Sequence, residues 1–340
     1  MPLSIHSKRR ILYIKTEGAT PGTYVGSVTL FAIGNATIPP DSIKGPTFTP
    51  SFTDRKPEGP SLQPLKSIAG AVQGKVAFST RLIGPPAKGV AGPLSDLFKS
   101  AAMSETLVAT TSATFKEDPN SQTRLSIGVG MIQEDGLLEL EWALAGCAPS
   151  KLDIKAGKIG EVVMCDWEFT GKPAYATGTV IAIDDATPNV GITFVDDDAA
   201  GFKFMGLTVT SGLTSREINN FVWTRGLPVE LDTSITDPSG YGYCKFGQTD
   251  PVLKIDPAKV PVATMNDVAN FIAGATASAG FTLTNAGGKT FSMAFPVLQP
   301  TTLSDDARGA VSTWGVEAHC RRSETGAAVD ASDAFTFIFG

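Results

Sequence analysis

Apolar and polar residues alternate most strictly over Leu125–Ile132, Leu137–Ala145 and Gly160–Gly171, the two-residue period of strands with one buried face. In the last of these, Val163, Cys165, Trp167 and Phe169 share one side, while Met164, Asp166, Glu168 and Thr170 share the other. Each large apolar side chain is worth roughly 1.5–3 kcal/mol when fully buried, so a one-residue slip would expose the whole row. The preceding stretch sets Leu138, Leu140, Trp142 and Leu144 against Leu137, Glu139, Glu141 and Ala143. Between it and Ile132 lies Gln133-Glu134-Asp135-Gly136, whose Asp-Gly ending predicts a hairpin in a half-buried antiparallel sheet.

Helical spacing is confined to two short segments. Leu94, Leu97, Phe98, Ala101 and Ala102 form one apolar stripe within Leu94–Met103. Met265, Val268, Ala269 and Ile272 form another within Thr264–Gly274, with Thr264 and Asp267 placed to cap its start. Each helix is expected to cover an opening or edge of the sheet structure. The two begin 170 positions apart in a chain of 340, and each is preceded by an extended run (Gly74–Gly84, Asp250–Val260) and followed by another (Glu105–Thr110, Gly280–Thr284). Extended runs at Val162–Thr170 and Ala331–Gly340 close the halves, so the chain reads as two versions of one supersecondary plan. Gly34–Ala71 and Thr177–Gly201 carry no clear pattern and are expected to be long loops docked on neighbouring subunits, with Met1–Arg10 as an arm.

Composition agrees with many short strands: 35 Gly and 23 Pro punctuate a chain that is 42% hydrophobic and 18% charged, as in an ordinary folded soluble protein. No apolar run nears the roughly 20 residues of a membrane helix, and the stretch after Lys8-Arg9-Arg10 is too short and charged for an export signal. Folding in the cytoplasm is expected, with Cys147, Cys165, Cys244 and Cys320 reduced and acting as small core hydrophobes.

Charge is uneven. Residues 1–170 hold 17 Lys+Arg against 16 Asp+Glu, and residues 171–340 hold 11 against 18, giving +1 and −7. Tight DNA binding needs the opposite sign, because Lys and Arg on phosphate supply most of the affinity. The acidic clusters Asp184–Asp185, Asp196–Asp198 and Asp305–Asp306 read as solvated loop tips, and the run Asp196–Asp198 lacks the alternating ligands of a calcium loop.

Candidate chemistry is sparse. The histidines are His6 and His319, and in the strand-like run Thr313–Cys320 the neighbours His319 and Cys320 point to opposite sheet faces. Zinc would need three or four Cys/His ligands at workable spacing, and neither Gly128-Val129-Gly130 nor Gly240-Tyr241-Gly242 is a phosphate-binding loop. The pairs Glu139/Glu141 and Asp166/Glu168 resemble a glycosidase dyad only in composition, since carboxylates two apart on a strand mark its wet side. No enzymatic activity, cofactor or metal is expected.

The order LSDLFKSAAMSETLV, LSIGVGMI, LELEWALAG and KLDIKAGKIGEVVMCDWEFTGKP resembles the major tail tube proteins of long-tailed bacteriophages with non-contractile tails. TEGATPGT near the start and DDARGAVSTWGVEAHCRR before a final Phe-rich strand are similar to that family as well. The resemblance implies a mainly β fold, a tail-tube-type β-sandwich or partial barrel with short flanking helices, and the repeated plan divides the chain into residues 1–171 and 172–340 as two such domains if both halves follow it. It further implies a virion protein made in the bacterial host, stacking as rings into a hollow tube that conducts the genome. Rings would hold three copies if both halves are tube domains and six if one is. Implied partners are further copies, the tail terminator, tape measure and tail-tip proteins, and DNA that passes without tight binding. Glu139, Glu141, Asp166 and Glu168 are the expected lumen-facing carboxylates. The rival readings are a tail-tip or adhesin-type binding module and a carbohydrate-active enzyme on a β scaffold.

Overall fold

The computed structural model of the chain describes residues 5–18, 20–23, 42–55, 65–118, 120, 123–133, 137–158, 160–176, 179–180, 183–188, 202–204, 207–208, 216–322 and 334–340. In chain order the first strands are β1 (Ile5–Thr16), β2 (Ser42–Arg55), β3 (Leu65–Arg81), β4 (Met103–Val108), β5 (Ser112–Glu117), β6 (Leu125–Gln133), β7 (Leu137–Ala156) and β8 (Met164–Pro173). Short pieces follow: β9 (Tyr175–Ala176), β10 (Thr179–Val180), β11 (Ile183–Pro188), β12 (Leu207–Thr208) and β13 (Glu217–Ile218). The rest are β14 (Phe221–Gly226), β15 (Val229–Thr233), β16 (Tyr241–Phe246), β17 (Val252–Ile255), β18 (Ala277–Thr284), β19 (Thr290–Arg308), β20 (Val311–Arg321) and β21 (Thr336–Phe339). Helix α1 (Ser95–Ser100) and helix α2 (Asp267–Ile272) complete the regular structure.

One large antiparallel sheet runs β2-β3-β8-β7-β14-β17-β20-β19-β21-β5-β4. It folds back on itself at β19, a strand long enough to serve two layers: Val297–Arg308 pairs with β20, while Phe291–Ala294 pairs with β21. The first layer is β2 through the distal part of β19; the second is β4, β5, β21, the proximal part of β19 and β18. Aromatic side chains fill the space between. Trp223 of β14 meets Phe335 and Phe337 at 4.9 and 4.8 Å, and Phe221 meets Phe281 of β18 at 5.2 Å. Phe98 of α1 touches Trp167 from the first layer and Phe115, Phe337 and Phe339 from the second, so α1 closes the core where it packs.

The alternation read from the sequence sets this core. Val163, Cys165, Trp167 and Phe169 are buried, as are Trp142 and Leu144, and Gln133 and Leu137 end and begin antiparallel partners. Thr170, expected on the wet side, is also buried, because β16 packs over that end of β8 and Cys244 Sγ donates to the Thr170 carbonyl at 3.1 Å.

Three expectations are corrected. The first helix is shorter than its stripe, Ser95–Ser100, and Met103 already begins β4. The second is Asp267–Ile272, starts from the cap Asn266 rather than Thr264 or Asp267, and buries no residue. Its apolar stripe does not cover the sheet: Val268 and Ile272 are 45% and 79% exposed. Gly34–Ala71 is not a structureless loop, since it contains β2 and the start of β3, and β2 pairs with β3 from Ser42↔Ser79 to Arg55↔Leu65 with three register shifts. Of Thr177–Gly201, the described parts are β10 and β11, and Met1–Ser4 of the expected arm lies outside the described residues.

Each half does contain a strand, a short helix and a strand: β3, α1, β4 and β17, α2, β18. In each, the strand before the helix pairs with the later member of a strand pair, giving β3-β8-β7 and β17-β20-β19. The position 171/172 falls within β8, and the ladder passes between the halves at β7–β14 and at β5–β21.

Candidate functional site: the polar face of the first layer

Because antiparallel partners share a sheet face, the registers define rows that cross the whole first layer. One row reads Ser79, Asp166, Asp153, Thr224, Val252, His319 and Gln299. Its neighbour reads Arg81, Met164, Lys155, Val222, Lys254, Glu317 and Thr302. On the other side, Ala77, Glu168 and Lys151 follow one another. The intervening residues (Phe78, Trp167, Leu152, Trp223, Leu253, Ala318) are buried in the core, so the polar rows lie on the outer face. This face draws on both halves of the chain.

Its charges are compensated. Asp153 and Asp166 stand directly opposite each other, an arrangement that is unfavourable for like charges. Lys151 reaches Asp153 at 2.7 Å, and Lys155 pairs with Asp166, so each carboxylate has its own cation. The Asp153 carboxylate in turn holds Lys151 above the usual lysine range. Further along, Lys254 pairs with Glu317 at 2.8 Å, and Asp250 accepts from Arg321 at 2.9 Å and contacts His319 Nδ1 at 2.7 Å. Asp153 Oδ1 is buried without a hydrogen-bond partner. Ser42, Lys44, Ser79, Lys151, Asp153, Asp166 and Glu168 line a shallow polar groove here, floored by Trp167, whose indole N–H donates to Thr80 at 3.2 Å.

Of the four carboxylates expected to face a lumen, Asp166 and Glu168 lie on this face, and Asp153 joins them. Glu139 pairs with Met131 and Asp184 at the far end of β7, and Glu141 falls at a register shift between Leu140↔Gly130 and Trp142↔Val129; their side chains lie outside the described residues. Asp153, Lys151 and Lys155 were not singled out by sequence reasoning, although the alternation KLDIKA carries the signal. Among the described residues, no group of three or more His, Cys, Asp or Glu side chains is gathered to hold a metal ion.

The cysteines are free and buried. Burial pushes the Cys244 and Cys320 thiols up to about 12, and raises Cys147 and Cys165 as well, so all four remain protonated at neutral pH. His319 turns to Asp250, and Cys320 points into the core beside Ala318 and Val316. Among the described residues no helix is long and apolar enough to cross a membrane.

A second polar cluster lies buried where the β15–β16 hairpin packs over β7 and the end of β8. Glu17 accepts from Gly146 N (2.7 Å), Gly22 N (2.6 Å) and Ser126 Oγ (2.9 Å), and burial raises its pKa despite those bonds. Lys172, itself buried, pairs with Asp237, and Arg124 Nε donates to the Cys244 carbonyl at 2.6 Å while lying over the Phe246 ring. Apart from the local Gly22–Glu17 bond, these contacts join segments far apart in sequence, which makes the cluster a clamp between the β1 end, β7 and the β15–β16 hairpin. Comparison of the chain with protein families and with curated proteins returns no match.

Proposed function

We propose that this chain is a structural subunit that polymerises with copies of itself into stacked rings, the major tail tube protein of a siphophage-type virion, assembled in the host cytoplasm and incorporated into the tail. The observation that carries the reading is the broad outer face of the first layer, polar across seven strands, on which Lys151, Lys155 and Lys254 are each matched to a carboxylate. A conduit for DNA needs a wet wall without free cations, since each unpaired Lys or Arg adds a phosphate attachment and slows transit. Lys151, Lys155, Lys254 and Arg321 are all paired, which suits such a wall. The matched orders β3-β8-β7 and β17-β20-β19 suit two tube-like units in one chain. Resemblance of the sequence to tail tube proteins supplies the particular identity.

Negative-stain microscopy of the purified full chain at high concentration tests the proposal. Rings or tubes with a central channel are expected. Monodisperse monomers at every concentration overturn it and favour the tail-tip or adhesin-type module, which has no need to self-associate.

A further inference from the structure

Among the described residues, β1 has β6 alone and β11 has β7 alone as partner, and the two ends of the first layer are open as well. At one end, β2 has β3 on one side and no strand on the other among the described residues. At the other end lies β19. Both β18 and β21 pair with Phe291–Ala294, so they occupy opposite sides of that strand. β20 continues on the β21 side from Val297 to Arg308, whereas β18 reaches no further than Leu298. Along 299–308, one side of β19 therefore has no partner strand among the described residues. Helix α2, which precedes β18, lies beside the start of this margin, where Phe271 and Leu303 line a common apolar groove.

The margins are unlike and complementary. β2 carries Phe48 and Phe52, 39% and 62% exposed, and helix α2, which meets β19 through Phe271, carries Val268 and Ile272 at 45% and 79%. β2 includes Lys44, Asp54 and Arg55, a sum of +1, while 299–308 includes Asp305, Asp306 and Arg308, a sum of −1. Unsatisfied strand margins recruit further strands, and a contact between two different patches propagates from copy to copy instead of stopping at a dimer.

Resting on the assembly reading above, we propose that β2 of one copy adds along residues 299–308 of the next, joining the first layers into one continuous sheet and bringing the exposed phenylalanines of one copy beside the exposed α2 side chains of its neighbour. The polar face then becomes continuous around the assembly.

Hydrogen exchange on the wild-type full chain, dispersed and assembled, reads this directly. Amides in 42–52 and 299–308 are expected to gain protection together on assembly, by tenfold or more. Assemblies in which both segments exchange as fast as in the dispersed chain overturn this pairing while leaving the assembly reading intact, and a chain that never assembles overturns both. A second test uses Thr47→Cys and Ser304→Cys as separate variants, treated with a short bismaleimide; the four native thiols are buried and give little background. Covalent dimers are expected from the mixture of the two variants and not from either alone. Dimers from Thr47→Cys alone would show β2 pairing with itself and sink the proposal.

Discussion

Arg225 of β14, fully buried, donates from Nη2 to the half-buried Glu117 Oε1 of β5 at 2.8 Å, an ion pair that bridges the two layers. The guanidinium also donates from Nη1 to the Ala101 carbonyl at 2.6 Å, just past α1, and lies 5.1 Å over the Phe335 ring. Burial pulls the Arg225 pKa down to about 10, with Glu117 acting in the opposite sense. Removing Glu117 strands the buried guanidinium, at a cost of about 3–5 kcal/mol, while removing Arg225 leaves a carboxylate that still reaches solvent and Thr249, at a smaller cost. Glu117→Leu is expected to lower the unfolding free energy by about that amount, and Arg225→Met by less, read from denaturant titrations. The double variant should recover much of the loss, because its apolar replacements strand no charge. A double variant whose loss equals the sum of the two singles would show that the residues do not act as a pair.

The buried Glu17 makes stability depend on pH. Its folded-state pKa lies above the ordinary 4.5. Between those two values the folded chain holds a proton that the unfolded chain has lost, so this group's contribution is full below 4.5 and is lost as pH rises through the folded value. For Asp237, burial acts upward, but Lys172 and Ser239 together outweigh it and hold the carboxyl below its ordinary 3.8. That contribution is present above 3.8 and lost as pH falls through the folded value, so the two groups act in separate windows. Denaturation series from pH 4.5 upward should show a decline in wild-type stability that is reduced in Glu17→Gln. Identical slopes in the two proteins would remove Glu17 as the source.

How much of this was legible depended on whether a residue's surroundings are local. The β8 row from Val163 to Phe169 could be read because alternation along one strand decides burial when a single layer packs above it. Thr170 and Lys172 could not, since a hairpin more than 60 residues later covers them. The α2 stripe has the spacing of a buried helix, yet Val268 and Ile272 face outward, which periodicity has no means of distinguishing. Arg225 sits on the same face as Phe221 and Trp223, so alternation puts it in the core, but its partner Glu117 is 108 residues away. Asp166 and Glu168 were visible as a wet side; that Asp153 stands opposite Asp166, with Lys151 and Lys155 neutralising the pair, required the register.

Helix α2 is held by a side chain rather than by burial. Arg216, buried, grips Asp267 with two bonds of 2.9 Å and reaches Met265 Sδ at 2.8 Å, while Asn266 caps the first turn by accepting from Ala269 N at 3.0 Å. A six-residue helix has little stability of its own. Asp267→Ala should therefore free the helix, abolishing amide protection over 267–272 and costing about 3 kcal/mol or more through the stranded guanidinium. Asn266→Ala should cost about 1 kcal/mol, the ordinary value of a cap. Retained protection in Asp267→Ala would mean that the Phe271 groove holds the helix instead.

The polar face gives the last prediction, and it bears on transit of nucleic acid. Lys151 and Lys155 have side chains 49% and 44% exposed, so their pairing with Asp153 and Asp166 is what keeps them from phosphate. Asp153→Asn with Asp166→Asn preserves side-chain size and frees two cations in every copy. Assembled wild-type protein should show little affinity for double-stranded DNA at physiological salt. The assembled double variant should retain DNA, with log affinity falling against log salt at a slope near −0.9 for each phosphate contacted. A variant that assembles normally and still ignores DNA across that salt range would mean that these lysines do not face a passing duplex, and the polar layer would have to be assigned to the outside of the assembly.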